Sequence, residues 1–146
     1  MKILFALIMS VSYLMAGSVP VKEDPVSSMV IGSFNNSFPN AEEVQWSVSR
    51  DYYKVQFLLN CQHVFAFYAK DGAMIATTRN MLFTELPLIL QTSLKELQNG
   101  YWISELFELS NAEGTNYYIT LENAGTKLIM RSSRTEWELY QKKVKP

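Results

Sequence analysis

The sequence predicts an α+β fold in which a helix followed by four strands occurs twice, the strands forming one antiparallel sheet and the helices covering one of its faces. Three observations carry this. Short alternating, aromatic-rich segments broken by turn residues fill Phe38 to Asp71, and similar segments return after Trp102. An amphipathic stretch with helical spacing precedes each set of strands. The chain is 48% hydrophobic and only 18% charged over 146 residues, which suits a single domain with a real core and excludes a disordered one.

The first eighteen residues stand apart. Lys2 is a basic start, Ile3 to Met15 is mostly apolar, and Ala16-Gly17-Ser18 is a run of small residues. That order is a secretory signal peptide, and the apolar run is short for a membrane span, which takes about 20 residues. No cysteine follows the small residues, which argues against a lipid-anchored protein. The expected organisation is a signal peptide at 1–18, a flexible leader at 19–25, a domain at 26–141 with half-repeats 26–83 and 84–141, and a basic tail at 142–146.

The elements follow in order. Val26, Met29, Val30, Ser33 and Phe34 share one face of a helix over Val26 to Asn36, and Phe38-Pro39-Asn40 stops it. In Glu43 to Ser49, Val44, Trp46 and Val48 alternate with Glu43, Gln45 and Ser47. Arg50-Asp51 breaks the chain. In Tyr52 to Asn60, Tyr53, Val55, Phe57 and Leu59 share a face, and Tyr52, Lys54 and Gln56 share the other. His63 to Ala69 is apolar on both faces, as a central strand is. Lys70-Asp71-Gly72 is a hairpin turn, and Ala73 to Asn80 is a fourth strand. Leu90, Leu94 and Leu97 place a second helix over Pro87 to Gln98, with Thr84 or Glu85 as its cap and Asn99-Gly100 as its stop. Strands then resume at Trp102 to Leu109, Asn116 to Glu122, Lys127 to Ser132 and Glu136 to Tyr140. The tyrosine pairs Tyr52-Tyr53 and Tyr117-Tyr118 suggest an internal duplication.

Several kinds of chemistry are poorly served. Basic and acidic residues nearly balance, 13 against 14, and removal of a leader takes away only Lys2. The one basic cluster, Lys142-Lys143-Val144-Lys145, reads as a solvated end, so nucleic acid is not an expected partner. The single cysteine, Cys61, cannot form an internal disulfide and reads as a small buried apolar residue in or beside a strand. The single histidine, His63, shares a strand face with Cys61 at about 7 Å between Cβ atoms, too sparse a set for a nucleophilic triad or a zinc site. The carboxylates at Glu42-Glu43, Glu105, Glu108, Glu136 and Glu138 read as solvated strand edges. Only six glycines occur, and none builds a phosphate loop. No cofactor or metal is expected.

Aromatic residues are the functional lead. If Tyr53, Val55 and Phe57 face the helices, Tyr52 points to the opposite, open face; either Phe65 and Phe67 or Ala66 and Tyr68 must be on that side too, with Phe65 and Phe67 as the candidates, and Trp102 and Tyr118 are candidates in the second half by the same alternation. Rigid Tyr and Trp side chains on a sheet anchor protein or peptide partners at low entropic cost.

The ordered set Phe38-Pro39-Asn40-Ala41, Val44, Trp46, Tyr52-Tyr53-Lys54-Val55, Ala66-Phe67-Tyr68, Asp71-Gly72 and Leu86-Pro87 resembles the PepSY-like domains. These small exported bacterial proteins are described as similar to beta-lactamase inhibitor protein. The resemblance spans Val26 to about Tyr140. It implies tandem α-β repeats forming one curved antiparallel sheet, with helices on the convex side and partners gripped by the concave side. It also implies inhibition or chaperoning of a peptidase, and no family site residue is carried over by it. The expectation is therefore a periplasmic or secreted, non-enzymatic binding protein that is free of the membrane after cleavage. Its partner would be a protein or peptide, such as an envelope peptidase or other hydrolase, bound through Tyr52, Phe65, Phe67, Trp102 and Tyr118. The alternatives are a carrier with a small apolar ligand among Phe65, Phe67 and Trp102, and a cone-shaped α+β enzyme using Cys61 and His63.

Overall fold

The computed structural model describes residues 25–146; the predicted signal peptide and all but the last residue of the predicted leader lie outside that range. Helix α1 is Ser28–Ser37, followed by β1 Glu42–Val48, β2 Tyr52–Leu59, β3 Gln62–Ala69 and β4 Met74–Asn80. A 3-10 turn, Phe83–Glu85, leads into α2 Leu88–Leu97, then β5 Trp102–Asn111, β6 Gly114–Glu122, β7 Thr126–Ser132 and β8 Trp137–Val144. All eight strands form one antiparallel sheet in chain order, β1 to β8. The fold is thus the helix-plus-four-strands pattern, twice, in one curved sheet with both helices on one face.

The covered face has two apolar clusters. In the first half, Val30 and Phe34 of α1 pack on Tyr53, Val55, Phe57, Val64, Ala66 and Tyr68. Phe34 is its hub, with ring centroids 5.1 Å from Phe57, 5.4 Å from Trp46 and 5.7 Å from Phe38. In the second half, Leu90 and Leu94 of α2 pack on Leu106, Ile119, Leu121, Met130 and Trp137. The Trp137 indole N–H donates to the Leu90 carbonyl at 3.0 Å, tying α2 to the last strand.

A polar bridge separates the clusters. Arg79 of β4 donates to both Glu108 carboxylate oxygens of β5, at 3.3 and 3.1 Å, and to Gln62 at 3.0 Å. The β4–β5 ladder under it is short, running from Thr77 to Asn80 against Phe107 to Ser110. The halves therefore meet along a narrow seam.

Three sequence readings are corrected. Cys61 is exposed, not buried. It sits with Asn60 in the two-residue β2–β3 turn, both at positive φ (63° and 51°), so it projects from the turn and does not share a strand face with His63. The basic tail is largely strand: β8 continues through Lys142 and Lys143 to Val144, because β7 offers ladder partners at Leu128, Lys127 and Thr126. Lys145 is also held, by Glu122 at 2.8 Å and by the Asn123 carbonyl at 2.8 Å. Finally, neither Thr84 nor Glu85 caps α2. Both lie in the 3-10 turn, where the Glu85 carboxylate accepts from the Leu82 N–H, and Pro87 occupies the cap position.

Gly72 shows why the Asp-Gly turn is placed there. Its φ of +90° suits glycine, and a Cβ would stand 3.1 Å from Met29 Cγ of α1. The Asp71 side chain accepts from the Ala73 N–H at 3.0 Å and closes the turn.

Candidate functional site: the open face of the sheet

Among the described residues, no element crosses the face opposite the helices. Strand alternation puts Tyr52, Lys54, Gln56, Phe65, Phe67 and Thr78 on this face in the first half. In the second half it places Trp102, Glu105, Phe107, Tyr118, Thr120, Glu122, Lys127, Ile129 and Arg131 there. The side chains of Tyr52, Phe65, Phe67, Trp102 and Tyr118 therefore all lie on this face.

Their exposure differs from the expectation. Phe65, Phe67 and Tyr118 are 7%, 0% and 1% exposed, so they form the floor and offer little surface as they stand. The cause is packing among open-face side chains. Tyr52 lies edge-on to Phe67 at 5.8 Å, and the Lys54 amine stands 4.6 Å above the Phe65 ring centroid. Tyr118 stacks on Phe107 at 5.2 Å with an interplanar angle of 9°, and Tyr140 closes its edge at 5.6 Å. Tyr52 is half-buried, and Trp102 is 53% exposed. The structure thus brings Tyr52, Phe65 and Phe67 together in one cluster, sets Tyr118 in a second, and places Trp102 apart. Ile75 packs against both clusters, so the apolar floor crosses the seam that is polar on the helix side.

The Trp102 corner is ionic. Glu122 accepts from the Lys145 amine at 2.8 Å and the Ser104 hydroxyl at 2.7 Å, with Lys127 at 3.5 Å. The Lys145 and Ser104 hydrogen bonds hold its pKa down to about 2. The same Lys145 amine lies 5.0 Å from the Trp102 ring centroid. Glu105, next along the face, has the opposite balance. Burial raises its pKa, and it receives only a long 3.5 Å contact from the Thr120 hydroxyl and a distant pull from Lys127. Burial likewise raises the pKa of Tyr118, more than nearby Arg131 lowers it, and its hydroxyl is buried without a well-formed hydrogen bond.

Glu105 supports a pH prediction. A carboxyl whose folded pKa is raised costs stability as pH climbs through the unfolded value near 4.3, and the full cost persists above the folded value. Glu105→Gln should therefore raise the thermal midpoint at pH 7, and the gain should vanish below about pH 4. Melting curves at both pH values check this.

The residues missed by sequence reasoning are Lys54, Glu105, Glu122 and Lys145. Lys54 and Glu122 follow from strand parity. Glu105 could not, because the β5–β6 register shifts between Ile103 and Glu105 and moves it to the open face.

Two shallow cavities are found among the described residues. One, of about 470 Å³, is lined by Asn60, Cys61, Gln62, Asn80, Met81, Leu82 and Glu85; the other, of about 330 Å³, lies at the seam beside Met74 to Thr77 and Ser110 to Ala112. Neither is lined by Phe65, Phe67 or Trp102. No group of three or more potential metal ligands occurs among the described residues, and none of their helices is long and apolar enough to cross a membrane.

No protein-family profile and no curated protein matches the chain. Solved structures do. A BLIP-like protein from Bacteroides fragilis superposes with a TM-score of 0.73 at 18% identity, covering 84% of this chain and 88% of that one. A DUF2874 family protein from Bacteroides ovatus gives 0.74 at 14% identity, covering 84% and 89%. A Bacteroides eggerthii protein, provisionally described as periplasmic, gives 0.73 at 13% identity, covering 83% and 90%. At these identities the likeness establishes the fold, which is BLIP-like.

Proposed function

We propose that this protein is an exported, non-enzymatic binding protein that holds a protein or peptide partner on the open face of its sheet. One observation carries the reading: an eight-stranded sheet has helices on one side only, and its other side is an apolar floor edged by half-buried Tyr52 and exposed Trp102. Such an open surface suits a partner better than it suits catalysis, which needs converging polar groups in a cleft. The BLIP-like neighbour supports a protein as the partner, and an envelope peptidase or other hydrolase fits the PepSY-like resemblance. The neighbour described as periplasmic supports a periplasmic or secreted location. The carrier reading is less well served, since Phe65 and Phe67 are floor and Trp102 lies apart from them. The enzyme reading loses its dyad, with Cys61 on a turn tip.

The test is capture from bacterial envelope extract on the tagged mature protein, with Tyr52→Ala, Trp102→Ala as the control bait. The expected result is one species retained by the wild type and lost with the double variant, while both baits melt within a few degrees of each other. Equal retention on both baits removes the open face from the function.

A further inference from the structure

Lys54 is a cation of the open face that no carboxylate among the described residues completes. Lys127 and Lys145 reach Glu122, and Arg131 reaches Glu138. Lys54 reaches no carboxylate among the described residues. Its amine lies over two rings instead, 4.6 Å from the Phe65 centroid and 5.8 Å from that of Phe67. Its cross-strand neighbours are Ser47 and Phe67. The next row along offers Gln45 opposite Gln56, two amides that are donors without charge.

An ammonium on ring faces keeps its charge through the ring quadrupole but gives up part of its hydration. Burial accordingly lowers the Lys54 pKa, with no opposing carboxylate to restore it. Three N–H donors are left at the mouth of an apolar floor. A carboxylate arriving there would make charge-assisted hydrogen bonds in a partly desolvated place, and its apolar neighbours would meet Tyr52 and the ring edges.

We propose that Lys54, flanked by Gln45 and Gln56 and seated on Phe65 and Phe67, is the docking point for a carboxylate side chain of the protein partner. The partner segment seated on this corner would carry Asp or Glu beside an apolar residue. This rests on the open-face reading above and adds the chemistry of what the face takes.

The experiment is selection of displayed random peptides on the mature protein, run in parallel on wild type and on Lys54→Glu, with Lys54→Met, Tyr52→Ala and Trp102→Ala for binding measurements. Wild-type pools should enrich Asp or Glu next to an aromatic or aliphatic residue. Pools from Lys54→Glu should replace that acid with Lys or Arg. A wild-type peptide should lose about tenfold or more in affinity for Lys54→Met, the loss expected when one member of a desolvated pair is removed. Pools without an acidic preference, or no enrichment on wild type, overturn the proposal. Peptides that need Tyr52 or Trp102 but ignore Lys54 overturn the docking point and leave the open-face reading standing. Peptides indifferent to all three overturn both. Lys54-dependent binding of free dodecanoate, with no acidic peptide selected, reassigns the site to a small ligand and overturns the protein partner.

Discussion

Phe34→Ala is expected to destabilise the protein by about 3–5 kcal/mol, the range for removing a buried phenylalanine from a packed core. Phe34 is 2% exposed and is the ring through which α1 meets Phe38, Trp46, Phe57 and Tyr68. Those neighbours are large and edge-packed, so they cannot collapse far into the space left behind. The helix has little else to hold it: its cap residue Ser27 makes no side-chain hydrogen bond, and Gly32 lies within it. Of its residues only Val30 and Phe34 are buried. Denaturant unfolding should show the loss directly. Hydrogen exchange should show it unevenly, with amides of β1 to β3 losing more protection than those of β6 and β7.

The mirror experiment is Trp137→Ala, again expected to cost about 3–5 kcal/mol. Here two effects combine. The indole fills the second cluster at 8% exposure, and its N–H holds the Leu90 carbonyl across the α2–β8 contact. Trp137→Phe keeps most of the volume and should cost less, about 1–2 kcal/mol, chiefly for the hydrogen bond. Exchange should now quicken first in β7 and β8 and leave β2 and β3 protected. If either alanine variant loosens both halves equally at low denaturant, the polar bridge at Arg79 does not divide the core as its geometry indicates.

The fold was legible because its signals are local. Alternation in Tyr52–Leu59 and the Leu90–Leu94 spacing fix which side chain faces which side in those elements, whereas His63–Ala69, apolar on both faces, left Phe65 and Phe67 or Ala66 and Tyr68 to be chosen, and the pairing with β2 makes that choice. Burial was not legible for the same anchors. Phe67 packs against Tyr52 with the Lys54 amine over its ring, and Tyr118 against Phe107 and Tyr140, and sequence alternation says nothing about how closely neighbouring strands lean together. Cys61 was misplaced because a turn with two left-handed residues usually advertises itself with glycine, and here Asn60 is the only signal. The last strand was cut short because three lysines resemble a solvated end, while the ladder to β7 and the charge of Glu122 decide otherwise.

The narrow seam between β4 and β5 lies between the two corners of the open face, so the angle across it sets how far apart they stand. Lys54 on β2 lies about 12 Å from the seam at ordinary strand spacing, whereas Trp102 opens β5 on the other side of it, beyond the paired stretch Phe107 to Ser110. A rotation of about 10° at the seam therefore moves Lys54 by about 2 Å relative to Trp102. That is the difference between a hydrogen bond made and one missed. Any molecule that grips both corners measures the bend of the sheet, and the stiffness of that bend enters its affinity as elastic work.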